Sequence, residues 1–202
     1  MVQFRSYQAD EVAAFHRVRD PFGAFSNMAG GYPIRLGGVE AGSSEALYQA
    51  FRFPNLPDLQ AEVLSAPNPL LAKRHAYTRI GETRSDWDSV KVNVMRFVLR
   101  AKFGSHQDRL HPLLSAAGDR PIVEISHRDD FWGARPEGDR LVGRNVLGRL
   151  LMELRLELAS HPLGTPLLIV PRFREARLLG GCLSTEWVGG ARPEPDQAPL
   201  LF

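Results

Sequence analysis

The run NVLGRLLMELRLELA, residues 145–159, constrains this chain more than any other stretch. Leu147, Leu150, Leu151, Leu154 and Leu158 recur at helical spacing and form one apolar stripe along a helix. Such a stripe is stable only when another element covers it, so the chain must build a layered core. A second stripe, Trp87, Val90, Val94, Phe97, Val98 and Ala101, predicts a longer helix that starts at Ser85 or Asp86 and ends near Gly104. Two such helices in 202 residues point to one domain with a sizeable core.

Shorter elements fill the rest. Ser43 or Ser44 caps a helix that Pro54 ends. A second short helix spans residues 55–66, and a third opens with Asn68 as cap and Pro69 at the first helical position. Leu110–Ala117 forms a further short helix, stopped by Gly118. VAAFHRV, YPIRL, RPIVEIS and PLLIVPRF suit strands, whereas FWGARPEGDRLVG reads as a loop and GGARPEPDQAPLLF as a loose tail. Helices in the middle with short strands at both ends predict an α+β class, compact and mainly helical.

Composition excludes several functions. A single cysteine, Cys182, rules out an internal disulfide and a thiolate metal cage. The six histidines are scattered, and His106 and His111 lack helical metal spacing, so no metal site and no cofactor are expected. No apolar run reaches the roughly 20 residues of a membrane helix, and MVQFRSYQADEV does not read as a signal peptide. The expected compartment is the cytosol, with no membrane partner. A net charge of +2 permits a phosphate-bearing partner without requiring one. Lysines are confined to Lys73, Lys91 and Lys102.

Some polar and aromatic residues stand where solubility does not explain them. In SSEALYQAFRF, Glu45 occupies a first helical turn, with Tyr48, Gln49 and Arg52 on its face. The helix dipole favours an acid there whatever else it does, so spacing leaves its role open between steadying the helix and chemistry. Phe25, Ser26 and Asn27 lie in a Gly-rich stretch and read either as an Asx or Ser turn or as backbone donors facing a ligand. Trp87 reads more readily as a core anchor than as a stacking platform. Trp132, in DDFWGA, is either a plug that closes its loop or a platform for a base or ribose. Asn145 and Gly148 offer a cap with close packing, or donors aimed at a phosphate. Lys102 reads as a solvated cation at a helix end.

Taken together, these motifs resemble the NADAR, or YbiA-like, family. The family pattern runs F-S-N-F, P-I, S-E-H-Y-x-Q-A-x-K-F, a Trp-led helix ending in K-F, v-E, D-x-x-W-G and N-x-L-G-x-x-L-M. Here it reads FSNM, Tyr32-Pro-Ile, SEALYQAFRF, SDWDSVKVNVMRFVLRAKF, IVE, DDFWGA and NVLGRLLMELR, in order across residues 15–158. The resemblance implies a family domain over residues 1–161, followed by an extension, residues 162–202, of unassigned role. It implies an enzyme that hydrolyses an N-glycosidic bond. The favoured substrate is ADP-ribose on the guanine amino group of nucleic acid, which would make the protein an antidote to a cognate ADP-ribosyltransferase toxin. The alternatives are a ribosyl-amine intermediate of early riboflavin synthesis, yielding ribose 5-phosphate, and a non-catalytic module that binds ADP-ribose or NAD.

By the same resemblance, Glu45 is the active-site glutamate and Asp130, as the aspartate before W-G, a second catalytic acid. Phe25, Ser26, Asn27, Tyr48, Arg52, Trp87, Trp132, Gly133 and Asn145 are expected to bind substrate. Two positions depart from the pattern: Ala46 stands for the family's histidine and Arg52 for its lysine. An arginine stays protonated, so it cannot supply a nucleophilic amine but can bind a phosphate. KRHAY replaces a Gly-Arg pair after the third helix, leaving Lys73 and Lys102 as alternative amines.

Overall fold

The computed structural model describes residues 3–190, an α+β arrangement of six helices and eleven short strands. In chain order come β1 (Arg5–Gln8), β2 (Ala13–Phe15), β3 (Ile34–Leu36), β4 (Val39–Ala41), α1 (Ser44–Ala50), α2 (Pro57–Leu64) and α3 (Pro69–Thr78). There follow α4 (Trp87–Ser105), α5 (Gln107–Ala117), β5 (Ile122–Glu124), β6 (Arg135–Glu137), β7 (Arg140–Gly143) and α6 (Val146–Leu158). Four short strands end the described chain: β8 (Leu167–Ile169), β9 (Arg177–Leu178), β10 (Gly181–Cys182) and β11 (Glu186–Val188).

The two stripes form the core. All five leucines of the α6 stripe are buried, as are Val90, Val94, Phe97, Val98 and Ala101 of α4, and the two helices pack on each other. Each fully buried leucine contributes roughly 2 kcal/mol by leaving water. On its other flank α6 packs against β5. Gly148 makes that contact possible, since a Cβ there would stand 2.1 Å from the Ile122 carbonyl oxygen. Local caps agree with the sequence. Ser43 Oγ accepts the Ala46 N–H at 3.1 Å, and Asn68 Oδ1 accepts the Leu71 N–H at 2.9 Å.

The sheets are small. β7 sits between β1 and β6 in an antiparallel trio, β2 runs parallel to β5, and β3–β4, β8–β11 and β9–β10 pair antiparallel. The stretch FWGARPEGDRLVG is therefore not all loop. It contains the β6–β7 hairpin, with Glu137 opposite Arg140 across Gly138-Asp139. Every residue of β6 is exposed, so the strand lacks the alternation that marks a half-buried strand. Helix α5 also begins earlier than Leu110, at Gln107. The tail from residue 191 lies outside the described residues. Among those described, no helix is long and apolar enough to cross a membrane.

Candidate active site

Helix α1 brings Glu45, Tyr48, Gln49 and, just past its end, Arg52 to one cleft of about 180 Å³. The opposite wall is Glu124, Asp129 and Trp132, while Lys73 and Tyr77 enter from α3. Met28, Met95 and Leu147 add apolar lining.

Glu45 is buried and held at both oxygens. Asn27 Nδ2 donates to Oε2 at 2.8 Å, and Gln49 Nε2 donates to Oε1 at 2.7 Å. Two N–H donors match the acceptor-only chemistry of a carboxylate. The remaining oxygens, Asn27 Oδ1 and Gln49 Oε1, are buried without a partner among the described residues. Asn27 itself is fixed from below. Ser44 Oγ donates to the Asn27 carbonyl at 3.1 Å, and Lys102 Nζ donates to the carbonyls of Ala24, at 2.6 Å, and Ser26, at 2.9 Å. Lys102 is thus no solvated helix-end cation. It is fully buried, burial lowers its pKa to about 7, and it does not reach the cleft.

The aromatic residues form a connected set. The Tyr48 ring lies 5.1 Å from Trp87 and 5.8 Å from Trp132, nearly perpendicular to the latter, and burial pushes its hydroxyl pKa far up. Trp87 is buried and carries the Arg52 guanidinium 4.5 Å above its ring, while Tyr77 flanks the same guanidinium at 5.9 Å. Among the described residues, Arg52 Nε is buried without a partner. Trp87 therefore serves both readings: it anchors the core and supports a cation at the cleft.

The acid of the facing wall is not the one the motif was read to give. Asp130 pairs with Arg135 at 3.0 Å and does not line the cleft. Asp129 does, and its Oδ1 accepts the N–H groups of Phe131 and Trp132, both at 2.9 Å, which fixes the loop that presents Trp132. The D-x-x-W-G spacing carries this signal, since Asp129 stands three residues before Trp132. Glu124, at the end of β5, is the further acid that the site reading omitted, although it closes the quoted IVE. Burial raises its pKa to about 7, with Asp129 and Glu45 adding to the effect and Lys73 opposing it. Of the two alternative amines, Lys73 lines the cleft and Lys102 does not, whereas Tyr77 and Asp129 went unassigned because only the fold brings α3 and the Trp132 loop against α1.

Four expected binding residues act behind the cleft. Phe25 is buried against Phe15, Phe22 and Phe103 and anchors its turn. Ser26 Oγ accepts the Met28 N–H at 3.1 Å. Gly133 lets its loop meet β5, since a Cβ would lie 2.5 Å from the Glu124 carbonyl oxygen. Asn145, buried at φ +46°, makes no side-chain cap and aims no donor at the cleft. Its Nδ2 donates to the Ile122 carbonyl at 2.8 Å and its Oδ1 accepts the Glu124 N–H at 3.2 Å. Among the described residues, no cluster of three His, Cys, Asp or Glu side chains could hold a metal ion.

Known proteins share this architecture. Residues 14–159 match the NADAR domain family. The N-glycosidase YbiA of Escherichia coli (strain K12) is 38% identical over 150 residues, covering 74% of this chain and 90% of that protein. The N-glycosidase Npun_R5314 of Nostoc punctiforme is 34% identical over 150 residues, covering 72% and 92%. The NMR structure of the E. coli protein YbiA superposes with a TM-score of 0.64 at 37% identity, covering 76% of this chain and 88% of that one. An α+β fold shared with the YbiA structure, together with this similarity to N-glycosidases, defines a hydrolase of the N-glycosidase class. The chain belongs to the NADAR domain family.

Proposed function

We propose that this N-glycosidase cleaves the bond between the anomeric carbon of a phosphorylated ribose and an amine on a heterocycle, with ADP-ribose on the guanine amino group of nucleic acid as its substrate. The observation that carries the reading is the polarity of the cleft. Glu45, Glu124 and Asp129 line it together with the cations Arg52 and Lys73. Bond cleavage leaves positive charge on the ribose ring, which the Glu45 carboxylate stabilises at close range. Phosphates need cations, and Arg52 supplies a guanidinium already held over Trp87. In this reading Glu124, which lines the cleft with a pKa raised to about 7, gives its proton to the leaving nitrogen as the C–N bond breaks and its electrons pass to nitrogen. The Glu124 carboxylate then takes a proton from the water that adds to the anomeric carbon. Trp132, partly buried at the cleft wall, offers its ring to the purine, with Tyr48 packed against it.

Incubation with DNA carrying ADP-ribosylated guanine tests the proposal. Free ADP-ribose and restored guanine are the expected products, and Glu45→Gln should abolish release while remaining folded. A folded wild-type chain that releases nothing overturns the reading. It also proposes a cognate ADP-ribosyltransferase toxin as partner, and a neighbouring gene for such a transferase is the corresponding observation.

A second reading has its own support. The riboflavin biosynthesis protein VVA0006 of Vibrio vulnificus (strain YJ016) is 41% identical over 159 residues, covering 78% of this chain and 41% of that protein. On this reading the substrate is a phosphorylated ribosyl-amine of riboflavin synthesis. Release of ribose 5-phosphate from that compound, without action on ADP-ribosylated DNA, selects it.

A further inference from the structure

Residues 160–190 lie beyond the match to the family, yet they are built into the core. β8 and β11 pair and pack on α4. Phe173 sets its ring edge-on to Phe51, at 5.2 Å, and to Phe97, at 5.8 Å. Gln60 Nε2 donates to the Ala50 carbonyl at 3.1 Å and to the Arg177 carbonyl at 2.9 Å, while its Oε1 accepts the Leu179 N–H at 2.7 Å. Ala50, Phe51 and Arg52 are consecutive, so the segment grips α1 at the end that delivers Arg52.

Arg84 completes the grip. Its side chain is 3% exposed, paired with Asp86, and donates to the carbonyls of Arg174, at 2.8 Å, and Glu175, at 3.3 Å. Its backbone N–H donates to the Arg52 carbonyl at 2.9 Å, and its carbonyl accepts the Trp87 N–H at 3.1 Å. One residue thus joins the segment to both members of the Arg52–Trp87 pair. Glu175 adopts φ +47°, a conformation that costs about 1 kcal/mol outside glycine and persists where surrounding contacts fix it.

We infer that residues 173–179 are a positioning strap for the cationic part of the cleft. Through Phe51, Gln60 and Arg84 they hold Arg52 over Trp87, where it receives the substrate's phosphate. The inference rests on the proposed role of Arg52 as a phosphate ligand. Phe173 and Arg84 are positioning residues, since neither lines the cleft. Their effect should therefore fall on binding of the charged end and spare the chemical step.

The test compares full-length Phe173→Ala, Phe173→Leu and Arg84→Lys on guanosine bearing ADP-ribose and on its counterpart bearing ribose without phosphates. Phe173→Ala and Arg84→Lys should raise KM for the phosphorylated substrate roughly tenfold, with kcat within about twofold and KM for the phosphate-free substrate unchanged. Phe173→Leu should recover most of the loss, and Arg84→Lys carries the comparison if Phe173→Ala unfolds. Equal increases for both substrates, or an unchanged KM in folded Phe173→Ala or Arg84→Lys, overturn the inference. If the unsubstituted chain turns over neither substrate, the proposed activity fails separately. The strap is then read by calorimetry with ADP-ribose: a comparable loss of affinity in the variants supports it, and unchanged affinity overturns it.

Discussion

Asn145 Oδ1 accepts the Glu124 N–H at 3.2 Å, so the residue that opens α6 also sets the carboxyl at the end of β5. Its Nδ2 bond to the Ile122 carbonyl completes a two-point clamp on the strand. Asn145→Ala removes both bonds and puts alanine in a left-handed conformation that asparagine tolerates better. Buried groups left without partners cost about 1–3 kcal/mol each. Denaturant melts should therefore show a loss of roughly 2–4 kcal/mol, and activity should fall further than the unfolded fraction explains, because Glu124 loses its register.

Glu124 should leave a mark on the pH profile. Its pKa is raised from 4.5 to about 7, chiefly by burial, so the carboxyl is largely protonated below pH 7. As proton donor it predicts that kcat/KM falls as pH rises through about 7. Glu124→Gln should lower kcat by roughly 10²–10⁴-fold and remove that limb. Stability moves in the same sense. The folded state binds this proton more tightly than the unfolded chain, so the contribution is complete below pH 4.5 and is lost as pH rises through 7. Relative to wild type, Glu124→Gln should thus gain stability between pH 5 and pH 8, by about 3 kcal/mol at most.

Lys102 should behave oppositely. Burial lowers its pKa from 10.5 to about 7, so over this interval the unfolded chain binds more protons than the folded one. Its contribution to stability therefore rises as pH increases from 7 towards 10. Lys102→Met strands the carbonyls of Ala24 and Ser26, and thermal melts at pH 8 should show a loss of roughly 2–4 kcal/mol. The gap between the variant and wild type should widen at pH 9.

What was legible follows from the range of each interaction. The α4 and α6 stripes, the Ser43 and Asn68 caps and the short strands around Ala13, Ile34, Ile122 and Leu167 depend on neighbours a few residues apart, and the sequence displays them. Glu45 was legible as a helix-opening acid, and motif resemblance supplied its role. Lys102 misled because its helix-end position suggests solvent, whereas two carbonyls 76 and 78 residues away bury it. The raised pKa of Glu124 arises chiefly from burial, with Asp129 and Glu45 on separate elements adding to it, and none of these is local to IVE. The contact of Phe173 with Phe51 bridges more than half the chain, so no local pattern announced the strap.

The two adjacent aspartates give the sharpest comparison, because they differ in surroundings and not in chemistry. Asp130 makes one partly exposed ion pair with Arg135, a kind worth about 0–1 kcal/mol. Asp129 lines the cleft, accepts two backbone N–H groups and thereby holds the Trp132 loop, and its charge also helps raise the pKa of Glu124. Asp130→Asn should therefore keep kcat/KM within about fivefold of wild type, the factor that corresponds to roughly 1 kcal/mol. Asp129→Asn retains an acceptor oxygen but loses the charge, so it should lower kcat/KM by at least tenfold. It should also shift the Glu124-dependent limb to lower pH, because one repelling charge is gone. Parallel pH–rate profiles of the two variants, with circular dichroism to confirm folding, decide the matter: equal losses would mean that Asp129 and Asp130 share the cleft's chemistry.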